Sequence, residues 1–96
     1  MFIINIIYVK PIAEIEKLIP AHTIFLDKYY ATGNFICSGR KVPRTGGIIL
    51  CNYESLTRVQ EIIQEDPFHQ HGAAHYEITE FTPNKYSPAF SKVIEM

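Results

Sequence analysis

Apolar residues fill almost every position of the first segment, Phe2-Ile3-Ile4-Asn5-Ile6-Ile7-Tyr8-Val9. The run is rich in β-branched residues and too short for a typical helix, so it predicts a strand. Both faces are apolar, with Phe2, Ile4, Ile6 and Tyr8 on one and Ile3, Ile7 and Val9 on the other. A sheet with helices on one side and water on the other needs only one such face. Something must cover the second.

From Ile12 to Thr32 the apolar positions change to helical spacing: Ile12, Ile15, Leu18, Ile19, Phe25, Leu26 and Tyr29, with His22 in the middle of the stripe. Pro20 interrupts the pattern, and a proline in a helix interior costs about 3 kcal/mol. A short helical turn before Pro20 is therefore expected, followed by a main helix with Pro20 in its first turn. Gly33-Asn34 supplies the stop. In the Tyr29-Tyr30 pair, one ring is expected on the core face and the other at the surface or a cleft rim.

Two apolar runs follow, Phe35 to Ser38 and Gly47 to Cys51, joined by Gly39-Arg40-Lys41-Val42-Pro43-Arg44-Thr45-Gly46. The connector suits antiparallel strands. Its basic residues make it a candidate to face an anion, against the plainer reading of a solvated hairpin loop. Asn52 or Ser55 can cap a second helix whose inner face is Leu56, Val59, Ile62 and Ile63, ending at Asp66-Pro67. A last strand runs from about Ala74 to Phe81, with Ala74, Tyr76 and Ile78 facing one way and His75, Glu77, Thr79 and Phe81 the other. The organisation is thus one domain over residues 1–83, with 84–96 as a C-terminal tail or an arm packed on a neighbour.

Strand, helix, strand, strand, helix, strand is the split βαβ, ferredoxin-like plan. The fold class is α+β, an antiparallel sheet with both helices on one face. The doubly apolar first strand predicts that the open face packs on another subunit's sheet, giving a homodimer with a cleft between sheet and helices. At 96 residues folding hides only about two-thirds of the chain's surface, so self-association would add to a modest stability.

Composition narrows the function. The formal net charge is −1 and no basic block occurs, so a nucleic-acid partner has no electrostatic support. The middle strands also lack the basic and aromatic pattern of RNA-recognition motifs. No run approaches a membrane span, and the first residues lack a charged region and cleavage site. Cys37 and Cys51 lie in separate apolar segments and read as buried free thiols rather than a disulfide, in keeping with a cytoplasmic protein.

Chemistry concentrates at Asp66 and His22. At the end of the second predicted helix, Asp66 meets the negative end of the helix dipole, while Pro67 pushes it towards an extended conformation. A basic partner would stabilise it, and His22 is the candidate; a His–carboxylate pair is the usual material of general acid–base catalysis. The alternative is a core histidine and a carboxylate that only caps a turn. His69, His71 and His75 invite a metal reading, but no second cluster has metal-ligand spacing, so no metal is expected. Ser38 lacks the sharp glycine-flanked turn of a hydrolase nucleophile and is better suited to hold a substrate oxygen. Neither cysteine has a neighbour to activate a thiolate, and Gly46-Gly47 lacks the remainder of a phosphate loop.

The stretch Ala21-His22-Thr23-Ile24-Phe25-Leu26, followed by Gly33, Ser38-Gly39, Arg44-Thr45-Gly46-Gly47 and Asp66-Pro67-Phe68, resembles the YciI-like family (YCII-related domain) over roughly residues 1–83. The resemblance implies a dimeric α+β barrel and an active site centred on a histidine and an aspartate, matching His22 and Asp66. It also implies chemistry on small cyclic or aromatic metabolites, dehydrochlorination included, and a fold like that of muconolactone isomerases. Arg40 stands where the family often has proline, and His69-Gln70-His71 where it tends to have small or apolar residues. Substrate identity is therefore less transferable than the pair. The resulting expectation is a cofactor-independent lyase or isomerase acting on a small oxygenated or cyclic metabolite. His22 and Asp66 would form the acid–base pair, and Ser38, Arg40 and Arg44 would hold the substrate. The competing expectation is a non-catalytic ligand-binding or assembly domain.

Overall fold

The computed structural model describes residues 1–95. Strand β1 (Phe2–Tyr8) is followed by helix α1 (Ile12–Ala31), strands β2 (Phe35–Arg40) and β3 (Gly46–Cys51), and helix α2 (Leu56–Ile63). A short helix α3 (Pro67–Gln70) and strand β4 (Ala74–Glu80) complete the body. The strands form one four-stranded sheet in the order β2-β3-β1-β4, every pair antiparallel. This is the α+β, ferredoxin-like arrangement that the element order predicts.

The pleat sorts β1 as its sequence requires. Phe2, Ile4 and Ile6 are buried beneath the helices with Ile15, Phe25 and Tyr29 of α1, Val59, Ile62 and Ile63 of α2, and Ile49 and Cys51 of β3. The other face of β1, Ile3, Asn5 and Ile7, is half-buried, and Ile48 beside it on β3 is exposed. At the β1–β3 contact, a Cβ on Gly46 would lie 1.7 Å from the Ile6 carbonyl oxygen. Only glycine permits that approach, which fixes where β3 begins and where the connector from β2 must end.

Several details of these elements depart from expectation. Helix α1 runs unbroken through Pro20. Pro20 is exposed while Ile15 and Phe25 on either side of it are buried, so packing outweighs the local penalty. Leu56 is 43% exposed rather than part of the inner face of α2, because it stands at the first turn, beside the Ser55 cap. Cys37 is exposed, not buried; it lies at a bulge of the edge strand β2, on a side that no helix covers. The β2 and β3 strands also extend to Arg40 and Gly46, leaving a tighter connector than the sequence pattern indicates.

Tyr29 is buried and Tyr30 half-exposed, as their neighbouring positions on α1 require. After β4 the chain forms a single 3-10 turn at Pro88–Phe90 and a short helix α4 (Ser91–Ile94). Among the described residues no helix is long and apolar enough to cross a membrane.

Candidate active site

Asp66 does not end α2, which stops at Ile63. It is the N-cap of α3, with Pro67 in the first helical turn. Its extended backbone lets the carboxylate Oδ1 accept the Phe68 N–H at 3.1 Å. The helix-terminal setting expected from sequence is therefore reversed: proline starts a new helix here, and an N-cap is where an aspartate is preferred. The residue is completely buried.

Two further partners reach the same carboxylate. His22 Nδ1 lies 2.8 Å from Oδ1, and the Tyr76 hydroxyl donates to Oδ2 at 2.6 Å. With Phe68 and Tyr76 donating, the carboxylate acts as an acceptor, and His22 completes the set by donating through Nδ1. An ionised carboxylate has only acceptors to offer. In a neutral ring this arrangement leaves the lone pair on Nε2, the nitrogen remote from Asp66. Burial, and next the Asp66 charge, push the Tyr76 phenol well above its ordinary range, which keeps it a hydrogen-bond donor.

The imidazole is held in plane as well as by its edge. It stacks on Phe68 with ring centroids 4.1 Å apart and planes 16° apart. Tyr8 supports Phe68 from the side, edge-on at 5.7 Å. Asp66 and Phe68 thus secure the same ring from one short helix. His22 itself comes from the middle of α1, which the α1 core residues fix against the sheet.

His22 forms part of the wall of a cavity of about 190 Å³ between α1 and the inner face of the sheet. Ile6, Ile19, Leu26, Ile49 and Phe68 make its apolar walls. Ser38, Arg40 and Arg44 line it too, so the structure brings all three beside His22. Asp66 is not among the lining residues; it stands behind the imidazole and positions it. The Ser38 Oγ accepts the Tyr30 hydroxyl at 2.6 Å. Arg44 pairs with Glu16 through one guanidinium nitrogen, and that hydrogen bond raises its already high pKa.

The remaining candidates lie elsewhere. His69, His71 and His75 are exposed and do not line this cavity. Among the described residues, no three His, Cys, Asp or Glu side chains gather as a metal site requires. Cys51 is buried, and burial pushes its thiol up to about 12, which disfavours the thiolate that reactivity needs.

Residues 1–82 match the YCII-related domain. The chain belongs to the YCII-related family. Among solved structures, this YCII-related fold is similar to 5-chloro-2-hydroxyhydroquinone dehydrochlorinase from Burkholderia phenoliruptrix AC1100, in complex with 2,5-dihydroxybenzoquinone. The TM-score is 0.72 at 17% identity, over 85% of this chain and 94% of that one. At that identity the likeness is one of fold. No curated protein matches the chain.

Two parts of this candidate site in the YCII-related chain are not evident from the sequence pattern. Strand alternation puts Tyr76 on the same side as Ala74 and Ile78, but gives no reason to connect it with Asp66, ten residues earlier. Phe68 reads as an apolar residue after Asp-Pro; its stacking on His22 depends on α3, which the pattern does not reveal.

Proposed function

We propose that this protein is a cofactor-independent lyase or isomerase that moves a proton on a small oxygenated, cyclic metabolite. The observation that carries the reading is the 2.8 Å His22–Asp66 pair, with His22 on the wall of a cavity that has both apolar and polar walls. Asp66 keeps the proton on Nδ1 and offsets the positive charge when the ring takes a second one. Nε2 removes a proton from a carbon next to an oxygenated carbon, and the electron pair of the broken C–H bond moves towards that oxygen. Ser38 and the two arginines hold the substrate oxygens. In an isomerase, the imidazolium returns the proton to a different carbon. In a lyase, the pair expels a leaving group from the neighbouring carbon, and the imidazolium later gives its proton to solvent.

Membership of the YCII-related family and a dehydrochlorinase with the same fold support this class of chemistry. The experiment is incubation with single-ring oxygenated compounds in D₂O, followed by NMR. The reading requires deuterium to enter one ring carbon, or a leaving group to depart, only when protein is present. A compound that raises the melting temperature yet is neither exchanged nor converted would instead establish a ligand-binding domain.

The functional unit in this proposal is a homodimer in a reducing, cytoplasmic setting. The half-buried Ile3 and Ile7 and exposed Ile48 give the outer sheet face an apolar surface for a second copy. Two free cysteines suit the compartment. Sedimentation at micromolar concentration should give the mass of two chains; a single-chain mass would remove the dimer.

A further inference from the structure

The polar groups of the cavity are unevenly distributed by charge. Arg40 and Arg44 line it, together with the His22 imidazole, and none of the lining residues is an aspartate or glutamate. Glu16, the partner of Arg44, is not a lining residue. Among the described residues Arg40 makes no ion pair. The Arg44 Nε is buried and has no hydrogen-bond partner in the protein, although Glu16 anchors the same guanidinium through another nitrogen. Ser38 accepts from Tyr30, so the hydrogen of its own hydroxyl is available to donate. This end of the cavity therefore presents donors and positive charge, which suits a ligand group that only accepts.

Size sets a second limit. The cavity holds about 190 Å³, and an apolar protein cavity of about 150 Å³ accommodates benzene. One six-membered ring with a few small substituents matches such a space. The walls formed by Ile19, Leu26, Ile49 and Phe68 suit the faces of that ring.

We infer that the site takes a planar, single-ring organic anion whose acidic oxygens rest on Arg40, Arg44 and Ser38, with the ring extending towards His22. The orientation of the ring's reacting carbon towards Nε2 rests on the acid–base reading above; the preference for an anion does not. Charge and shape can be separated with a matched pair of probes, 2,5-dihydroxybenzoate and 2,5-dihydroxybenzamide. They share the ring and differ in whether the carboxyl-derived group is charged.

Binding is measured by titration of amide NMR spectra on the wild-type protein and on Arg40→Gln, Arg44→Gln and the double variant. The carboxylate should bind at least about tenfold more tightly than the amide, as charge-assisted hydrogen bonds allow. The largest shifts should fall at Thr23, Leu26 and Ile49. The preference should shrink in each single variant and approach unity in the double one. Arg40 is exposed, so Arg40→Gln keeps the test available if loss of the Arg44–Glu16 pair disturbs folding. Equal affinity for the two probes, binding of neither, or a preference that survives both substitutions would overturn the inference. None of these readouts requires turnover. A protein that prefers the anion yet converts nothing would count against the acid–base reading and leave this one standing.

Discussion

His22→Ala should abolish the proton transfer while leaving the protein folded. Positioned general acid–base catalysis contributes about 10²–10⁴-fold, and the exchange of substrate hydrogen for deuterium should fall by that factor or more. The fold should survive because Asp66 retains two of its donors, the Phe68 N–H and the Tyr76 hydroxyl. What is lost is the stacking on Phe68 and one of the three hydrogen bonds to the buried carboxylate, a cost of about 2–4 kcal/mol. The measurement is exchange rate beside thermal melting on the same preparation. Unchanged exchange in a folded His22→Ala protein would remove His22 as the base, whatever else the cavity binds.

Asp66→Ala should act in the opposite place, on stability. The substitution leaves the Tyr76 hydroxyl and the Phe68 N–H without their acceptor, removes the cap of α3, and withdraws the partner of His22. Leaving two buried donors without an acceptor costs about 1–3 kcal/mol each and loss of the cap about 1 kcal/mol more, a large share of the roughly 5–15 kcal/mol that holds a domain together. Denaturant unfolding should show the loss directly. Asp66→Asn separates the two roles, because its amide oxygen can accept from Phe68 and His22 while its NH₂ donates to the Tyr76 oxygen. It should therefore recover most of the stability without the negative charge that offsets a protonated imidazole. Equal stability of Asp66→Ala and wild type would mean that the three donors are satisfied elsewhere and that the carboxylate does not organise this region.

The main lines of the fold are legible because the signals are local and repeated. Alternation along β1 and the three- and four-residue spacing of α1 and α2 each recur over several residues, and their order allows few topologies. The histidine is conspicuous for a related reason, a titratable ring in an otherwise apolar stripe. What escapes are features settled by contact between distant segments. Pro20 reads as a break because the packing of Ile15 and Phe25 is not visible beside it. Asp66 reads as a helix end because the four-residue helix that it caps is too short for a periodic pattern. The burial of Leu56 fails for the converse reason: an apolar residue at the right spacing still faces solvent if it lies at the exposed end of its helix. Tyr76 is the plainest case. Its position on the inner side of β4 follows from alternation, but its hydrogen bond to Asp66 needs α3 in place first.

The cavity draws its chemical and its recognition groups from separate parts of the chain. His22, Phe68 and the buried Asp66 belong to helices packed into the core, whereas Arg40 and Arg44 lie at and within the turn that Gly46 pins against β1. Substitutions or insertions in that turn can alter which molecule is admitted without displacing His22. On the acid–base proposal, a lineage with this architecture is free to exchange one small metabolite for another by changes at the hairpin while inheriting the His22–Asp66 pair intact. Diversification of specificity should therefore be sought first between Arg40 and Gly46, and last around Asp66.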